Sequence, residues 1–338
     1  MYITDLKAIS AQSTYNDDFY NGKITVHSGN KYFAQEPDYT NIISPILLRR
    51  MGKSIRIGIG AAMPLIQRNP EINGIIVGSS EGGLEDCIKF LNQIITYDEG
   101  TLSPTNFVQS TPNALAGNIA LLTQNTCYNM THVHKGHAFE NALLDAFLLC
   151  KEVEPQTILV GNVEEISEYN FNIETLNNHY KKEETTSETL LNSNTKGTVC
   201  GEASCMFIMK NNTEKYLAKV IDIDMISYPD EVELNTLVLS LLKRNNLKIS
   251  DINILIEGRN GDIETDIWYN SINTLFKNIE TITFKNLSGE FPTASAFGIF
   301  LGVNAIANKL HFNKESPKYI LIYNHYKGVQ HSIILIGK

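Results

Sequence analysis

The segment Asn129-Met-Thr-His-Val-His-Lys-Gly-His-Ala-Phe-Glu-Asn-Ala-Leu-Leu-Asp-Ala146 gathers the residue types of this chain best placed to do chemistry. It reads as a buried strand, a tight elbow at Gly136 and a helix. Glycine lets the backbone turn sharply there, and the following helix points its unpaired N–H groups and positive dipole end back at the turn. Such a place suits a thiolate or an oxyanion. Yet the turn holds Lys135, Gly136 and His137, and the nearest cysteines, Cys127 and Cys150, lie outside it on either side. Covalent capture by a nucleophile is the chemistry of such an address, and the nucleophile is missing. Strand alternation puts His132 and His134 on one face. No carboxylate or thiol at short spacing completes a ligand set, so no metal is expected and the histidines read as core or interface residues.

The elements that must position this elbow follow from composition and periodicity. With 338 residues and 43% hydrophobic content the chain can build two ordinary domains or one large duplicated unit. A net charge of −9 with dispersed basic residues argues against nucleic-acid binding. The one compact cationic run holds Arg49, Arg50, Lys53 and Arg56, a candidate patch for an acidic or phosphorylated carrier. Five cysteines at irregular spacing support neither a disulfide framework nor a zinc site. The N-terminus lacks a signal-like apolar core and no apolar run is long enough to span a bilayer. The expectation is a cytoplasmic protein with no membrane partner and no cofactor.

A first strand is expected over 3–11, then an irregular stretch to about residue 40. Ser44-Pro45 has the signature of a helix start, and apolar residues from Met51 to Ile66 continue that helix with small residues at Gly58, Gly60, Ala61 and Ala62. A strand over 74–78 leads through Ser79-Ser-Glu-Gly-Gly83 into a helix to about 96, and another helix spans 114–122. After the elbow helix comes a buried strand over 157–163. The polar run 180–198 reads as an exposed linker between an N-terminal half, 1–179, and a C-terminal half, 199–338. In the second half strands are expected over 203–209, 216–225, 252–257, 281–285, 319–323 and 332–336, with helices over 231–243, 263–276 and 293–309. The alternation implies an α/β fold with covered sheets and two halves of like construction.

Five segments in order resemble the β-ketoacyl synthase branch of the thiolase-fold condensing enzymes. Asn113-Ala-Leu-Ala-Gly-Asn-Ile-Ala120 is similar to the family's helix ahead of the nucleophile strand, and Ile158-Leu-Val-Gly-Asn-Val-Glu-Glu165 to its Gly-Gly-x-Glu-type turn. Gly197-Thr-Val-Cys-Gly-Glu-Ala203 resembles its Gly-Glu-Gly segment, and Phe284-Lys-Asn-Leu-Ser-Gly-Glu290 its Lys-Ser-x-x-Gly-His segment. Asn324-His-Tyr-Lys-Gly-Val-Gln-His331 resembles its Asn-x-Phe-Gly-Phe-Gly-Gly turn. The resemblance implies a thiolase-like five-layered αβαβα fold of two related halves that dimerises through the layer carrying the elbow strand. It also implies an acyl group passed from a carrier protein to a cysteine thiolate, two histidines that support malonyl decarboxylation, and a lysine beside the second histidine.

The cysteine and both histidine roles land on changed residues. Counting back from Ala142-Leu-Leu-Asp-Ala146, the cysteine position falls on Gly136, or on His137 after a shift of one. The first histidine falls on Asn260 and the second on Glu290, while Lys285 is retained. An ionised carboxylate about 4 Å from a developing enolate costs on the order of 4 kcal/mol at an effective dielectric of 20, roughly a thousandfold in rate. Pairing of Glu290 with Lys285 as a structural ion pair is the expectation. Lys327 stands where the family's gating phenylalanine would be. The resemblance therefore implies a catalytically silent, chain-length-factor-like subunit that pairs with an active ketosynthase and meets an acyl carrier protein. Its setting would be type II fatty acid, polyketide or aryl polyene synthesis, with His137, Phe139, Glu140 and Lys327 as candidates around the elbow and tunnel. The alternatives are a homodimer, an active 3-oxoacyl synthase or acyl-thioester enzyme with displaced residues (a hydrolase using His137 with Glu290, for instance), and an acyl-carrier-binding protein without a ketosynthase partner.

Overall fold

The computed structural model describes residues 1–16, 18–152, 156–310 and 316–338. In chain order the first half contains β1 (Tyr2–Ile9), β2 (Lys31–Tyr32), α1 (Pro45–Leu48), α2 (Lys53–Arg68), β3 (Gly74–Gly78), α3 (Leu84–Thr96), α4 (Pro104–Gln109), α5 (Ala114–Thr123), β4 (Tyr128–His132), α6 (Ala138–Glu152), β5 (Thr157–Asn162), α7 (Glu168–Leu176), β6 (Cys200–Gly201) and β7 (Ser204–Lys210). The second contains β8 (Ala218–Ser227), α8 (Glu231–Arg244), β9 (Ile254–Glu257), α9 (Asp266–Leu275), β10 (Glu280–Thr283), α10 (Lys285–Ser288), α11 (Ser295–Ile306), β11 (Tyr319–Tyr326) and β12 (Gln330–Gly337). β2 and β6 form a small separate pair.

The ten long strands run in the order β10-β9-β11-β12-β8-β1-β7-β5-β3-β4. Read outward from the middle, the two sets of five repeat one order: first, fifth, fourth, second and third strand in sequence. Among the described residues the strand pairs Tyr2↔Lys219 and Ile3↔Ala218 join them. The chain is thus one β-α-β-α-β-α-β-β unit used twice, with α2, α5 and α6 in the first copy matched by α8, α9 and α11 in the second.

Strand alternation sorts the apolar residues into three cores. Ile76, Ile158, Val160, Phe207, Ile254, Ile256, Ile322 and Ile334 meet α6 and α11 in a central cluster. Their neighbours Ile75, Val77, Leu159 and Ile208 pack outward on α2 and α5. Leu255, Leu321, Tyr323 and Ile333 pack outward on α8 and α9. Helix, sheet, helix, sheet, helix is the result, the thiolase-like αβαβα arrangement. α11 buries all twelve of its residues. Its Gly302 permits this, since a Cβ there would come within 2.7 Å of Ile336 Cδ1.

Four sequence expectations change. The helix expected to run unbroken from residue 45 to 66 is split between Leu48 and Lys53: Gly52 has extended backbone, ψ 163°, its N–H donates to Gln109 Oε1, and the Asp86 carboxylate fills the space a Cβ there would need. β4, expected to be buried, is an edge strand whose first three residues are exposed. The 180–198 segment is exposed only in parts. Lys181, Thr185, Ser187 and Leu190 are buried, and the Lys181 ammonium donates to Ser193 Oγ and to Thr195. The repeat also divides later than expected: β7 lies between β1 and β5, so the second copy begins at β8. Among the described residues no helix is long and apolar enough to cross a membrane.

Candidate functional site

The elbow forms where β4 ends and α6 begins. Lys135 takes a left-handed backbone, φ 46°, and a single 3-10 turn, Lys135–His137, feeds into the helix. Gly136 is buried, and its surroundings leave no room for a side chain: a Cβ there would overlap Tyr326 Cβ and lie 3.1 Å from Tyr326 Cγ. Its N–H, the donor that would greet an oxyanion, already donates to Gln330 Oε1 at 2.8 Å. Gln330 Nε2 in turn donates to His134 O. Tyr326 and Gln330 flank the turn of the β11–β12 hairpin, whose tip is shaped by left-handed Lys327 and Gly328. The elbow is therefore sealed on both counts, volume and hydrogen bonding.

The two changed positions Asn260 and Glu290 converge with the retained Lys285. Lys285 Nζ donates to Glu290 Oε2 at 2.8 Å and to His325 O at 2.8 Å, and Asn260 Nδ2 donates to the same Glu290 oxygen at 2.8 Å. All three side chains are buried. Burial holds the Lys285 ammonium below its usual range, with Glu290 pulling the other way. The carboxylate is thereby engaged in a buried ion pair, and its other oxygen, Oε1, has no hydrogen-bond partner among the described residues.

His137 is not available as a base beside Glu290. Its Nε2 donates to His331 O at 3.1 Å, and burial lowers its pKa. His331 is lowered to about 4 by burial, and His325 lies well below the usual value because of burial and the Lys285 charge. Neutral imidazoles in a packed cluster with Trp268, Tyr269 and Tyr323 are the consequence. Phe139 lies on no open wall: its ring packs 6.0 Å from Phe207, and a Cβ on Gly78 would strike its backbone. Glu140 is fully buried, facing Ser295 and Ser332 without a normal hydrogen bond, and burial raises its pKa. Neither residue borders an opening. Among the described residues no cluster of three or more His, Cys, Asp or Glu is placed to hold a metal.

Behind the elbow, Glu164 accepts from the backbone N–H groups of Ser80 and Glu81, and its pKa is pushed up to about 8 by burial and then by the neighbouring Glu81. Outside it, an open pocket of about 630 Å³ is bordered by Val133, Lys135, Tyr228, Tyr326, Lys327 and Gln330. Lys135, Tyr326 and Gln330 on its wall belong to the elbow and to the side chains that seal it.

The cationic patch shrinks on folding. Arg56 is held in a two-pronged pair with Glu36, and Lys53 reaches Glu202 at 2.5 Å. Arg49 and Arg50 remain exposed beside exposed Ile46 and Leu47. Along the β4 edge Tyr128, Met130 and Val133 are exposed, as are Leu121 on α5 and Leu148 on α6. On it Asp145 accepts from Tyr128 Oη and from His132 Nε2, clamping β4 to α6.

Sequence reasoning missed Tyr326, Gln330 and Glu174, the last an ion partner of Lys327 at 2.7 Å. Tyr326 and Gln330 sat inside a segment singled out by resemblance, but the partner of Gln330 lies 194 residues away.

Comparison with known proteins now has a geometry to meet. Residues 26–191 match the family described as "Beta-ketoacyl synthase, N-terminal domain". Among curated proteins none matches in sequence. Among solved structures the chain is similar to the ishigamide ketosynthase/chain length factor, with a TM-score of 0.79, 13% identity and coverage of 100% of this chain and 98% of that one. It is also similar to a chain in the complex of the ketosynthase ApeO with its chain length factor ApeC from Xenorhabdus doucetiae (0.77, 14%, 99% and 97%). A β-ketoacyl synthase from Burkholderia phymatum gives 0.78, 14%, 100% and 98%. At these identities the likeness is one of fold.

Proposed function

For a chain that carries a β-ketoacyl synthase N-terminal domain over residues 26–191 and takes the ketosynthase-like thiolase fold over its whole length, we propose the role of a catalytically silent, chain-length-factor-like subunit. It pairs with an active ketosynthase that elongates carrier-bound acyl chains in polyketide, aryl polyene or fatty acid synthesis. One observation carries this reading: the elbow that would hold a nucleophile is a glycine whose side-chain space is filled by Tyr326 and whose N–H is taken by Gln330. A cysteine-bound acyl-enzyme at the elbow needs both a thiol and room for it, and Gly136 offers neither.

The pairing is supported by the open flank of the first half. β4 is an unprotected sheet edge, lacking the lysines and prolines that keep edges from pairing, and exposed apolar residues border it. A patch of that kind on a folded chain marks a protein partner. The acyl carrier would meet the pair near Arg49 and Arg50.

The test is purification with and without a ketosynthase encoded beside it, followed by mass spectrometry after incubation with acyl-carrier thioesters. A stable complex and an unmodified subunit are expected. A homodimer that turns over acyl or malonyl thioesters unaided, or a covalent acyl adduct on any residue of this chain, overturns the proposal.

A further inference from the structure

The hairpin tip that seals the elbow is itself tied down from outside. Lys327, at the tip, extends its ammonium across the seam between the two halves to Glu174 Oε2 at 2.7 Å, on α7 of the first half. The pair is half-buried, Glu174 at 15% and Lys327 at 33% side-chain exposure. Solvent therefore screens it less than a surface pair. Lys327 and Gly328 shape the turn with left-handed backbone, φ 56° and 64°, and on its own half the tip is held by the Gly328 N–H on His325 Nδ1 and the Tyr228 N–H on Val329 O. Immediately below it, Tyr326 abuts Gly136 and Gln330 grips the Gly136 N–H. The tip thus has two anchors on the first half, one charged and outside, one neutral and inside.

We propose that the Lys327–Glu174 pair is a latch that locks the β11–β12 tip as a permanent plug, keeping Tyr326 seated on the elbow so that the outer pocket never communicates with the interior. The proposal rests on the reading of this chain as silent and gives that silence a mechanical basis beyond the lost thiol. Glu174 and Lys327 are positioning residues: they touch no substrate and act through Tyr326 and Gln330.

The molecule carries its own reporter. Trp268 is the single tryptophan of the chain. It stands against the tip: a Cβ on Gly328 would lie 2.9 Å from Trp268 Nε1, and its ring is 4.8 Å from that of His331. The full-length protein is compared with Glu174→Gln, Lys327→Met and Lys327→Arg by acrylamide quenching of Trp268 and by hydrogen exchange of the Gly136 amide. The expected result is about tenfold faster exchange at Gly136, the loss of one charge-assisted hydrogen bond, and roughly twofold stronger quenching in the first two variants. Exchange within α11 stays unchanged, and Lys327→Arg behaves as wild type. Unchanged quenching and exchange in Glu174→Gln and Lys327→Met overturns the latch. So does an equal rise of exchange in α11, which marks general loosening, and so does failure of the arginine variant to rescue. An acyl adduct on the wild-type protein with the latch variants behaving as expected would sink the silent-subunit reading and leave the latch standing.

Discussion

The two copies of the repeat treat their central helix and outer edge in opposite ways. In the second copy α11 buries all twelve residues, and the edge strand β10 opens with exposed Glu280 and Thr281. In the first copy α6 buries seven of fifteen residues, leaves Leu148 exposed, and lies behind β4, whose exposed residues include Tyr128 and Met130. The same fold unit is finished on one side and unfinished on the other. A charged, polar edge keeps other strands away, whereas an apolar one with free backbone groups invites them. The difference makes the first copy the open side of the molecule and the second the closed one.

The hardest way to break that contrast is inside the closed half. Lys285→Met leaves the Glu290 carboxylate buried without its cation and is expected to cost about 3–5 kcal/mol in urea unfolding. Lys285→Met with Glu290→Gln should cost clearly less, because no charge is stranded. Equal losses in the two variants would mean that the pair is not the seat of the effect.

Stability against pH comes next. Glu164 and Glu165 have pKa values raised to about 8 and about 7, chiefly by burial. The native state therefore keeps protons that the unfolded chain releases near the ordinary carboxylate value. The stability they contribute is full below about pH 4.5 and is lost as pH climbs through 7 and 8, on the order of a few kcal/mol in total. Denaturant midpoints measured between pH 5 and 9 should fall, and Glu164→Gln should flatten the slope. A midpoint that rises toward pH 9 contradicts the assignment.

Restoring the thiol by Gly136→Cys should not restore acylation. The new side chain meets Tyr326, and overpacking of this kind costs about 1–3 kcal/mol. A mass-spectrometric acyl adduct on the cysteine variant would show that the plug yields. On the open flank, Met130→Glu or Leu148→Glu should change the stability of the isolated chain by no more than about 0.5 kcal/mol while abolishing co-purification with a ketosynthase. Should association survive both, the partner sits elsewhere. The smallest effect belongs to Arg49→Glu with Arg50→Glu, a few-fold weakening of carrier binding that shrinks further at high salt.

Much of this was legible along the chain because it is local. Strand periodicity, the elbow at Gly136 and the missing thiol sit in short segments whose residue types speak for themselves, whereas Asn260, Lys285 and Glu290 were singled out by the resemblance of their segments to the β-ketoacyl synthases and only the fold joins them. Where reading failed, the deciding contact was remote. The helix breaks at Gly52, whose backbone is extended and whose N–H is taken by Gln109 of α4, with Asp86 of α3 packed where a side chain would stand. Phe139 and Glu140 looked like wall residues because they follow the elbow, but in a helix sandwiched between two sheets the residues after the turn face the packed center.

Sequence alone determined that the chain would alternate strand and helix in two like halves and that its elbow would have no nucleophile, since side-chain type and period are properties of the chain itself. Only the tertiary structure decided that the elbow is shut, which half stays open and where the repeat divides. Those outcomes depend on strand register: β12 puts Gln330 on the Gly136 amide across 194 residues, and β4 falls at the end of the sheet order where no further strand covers it.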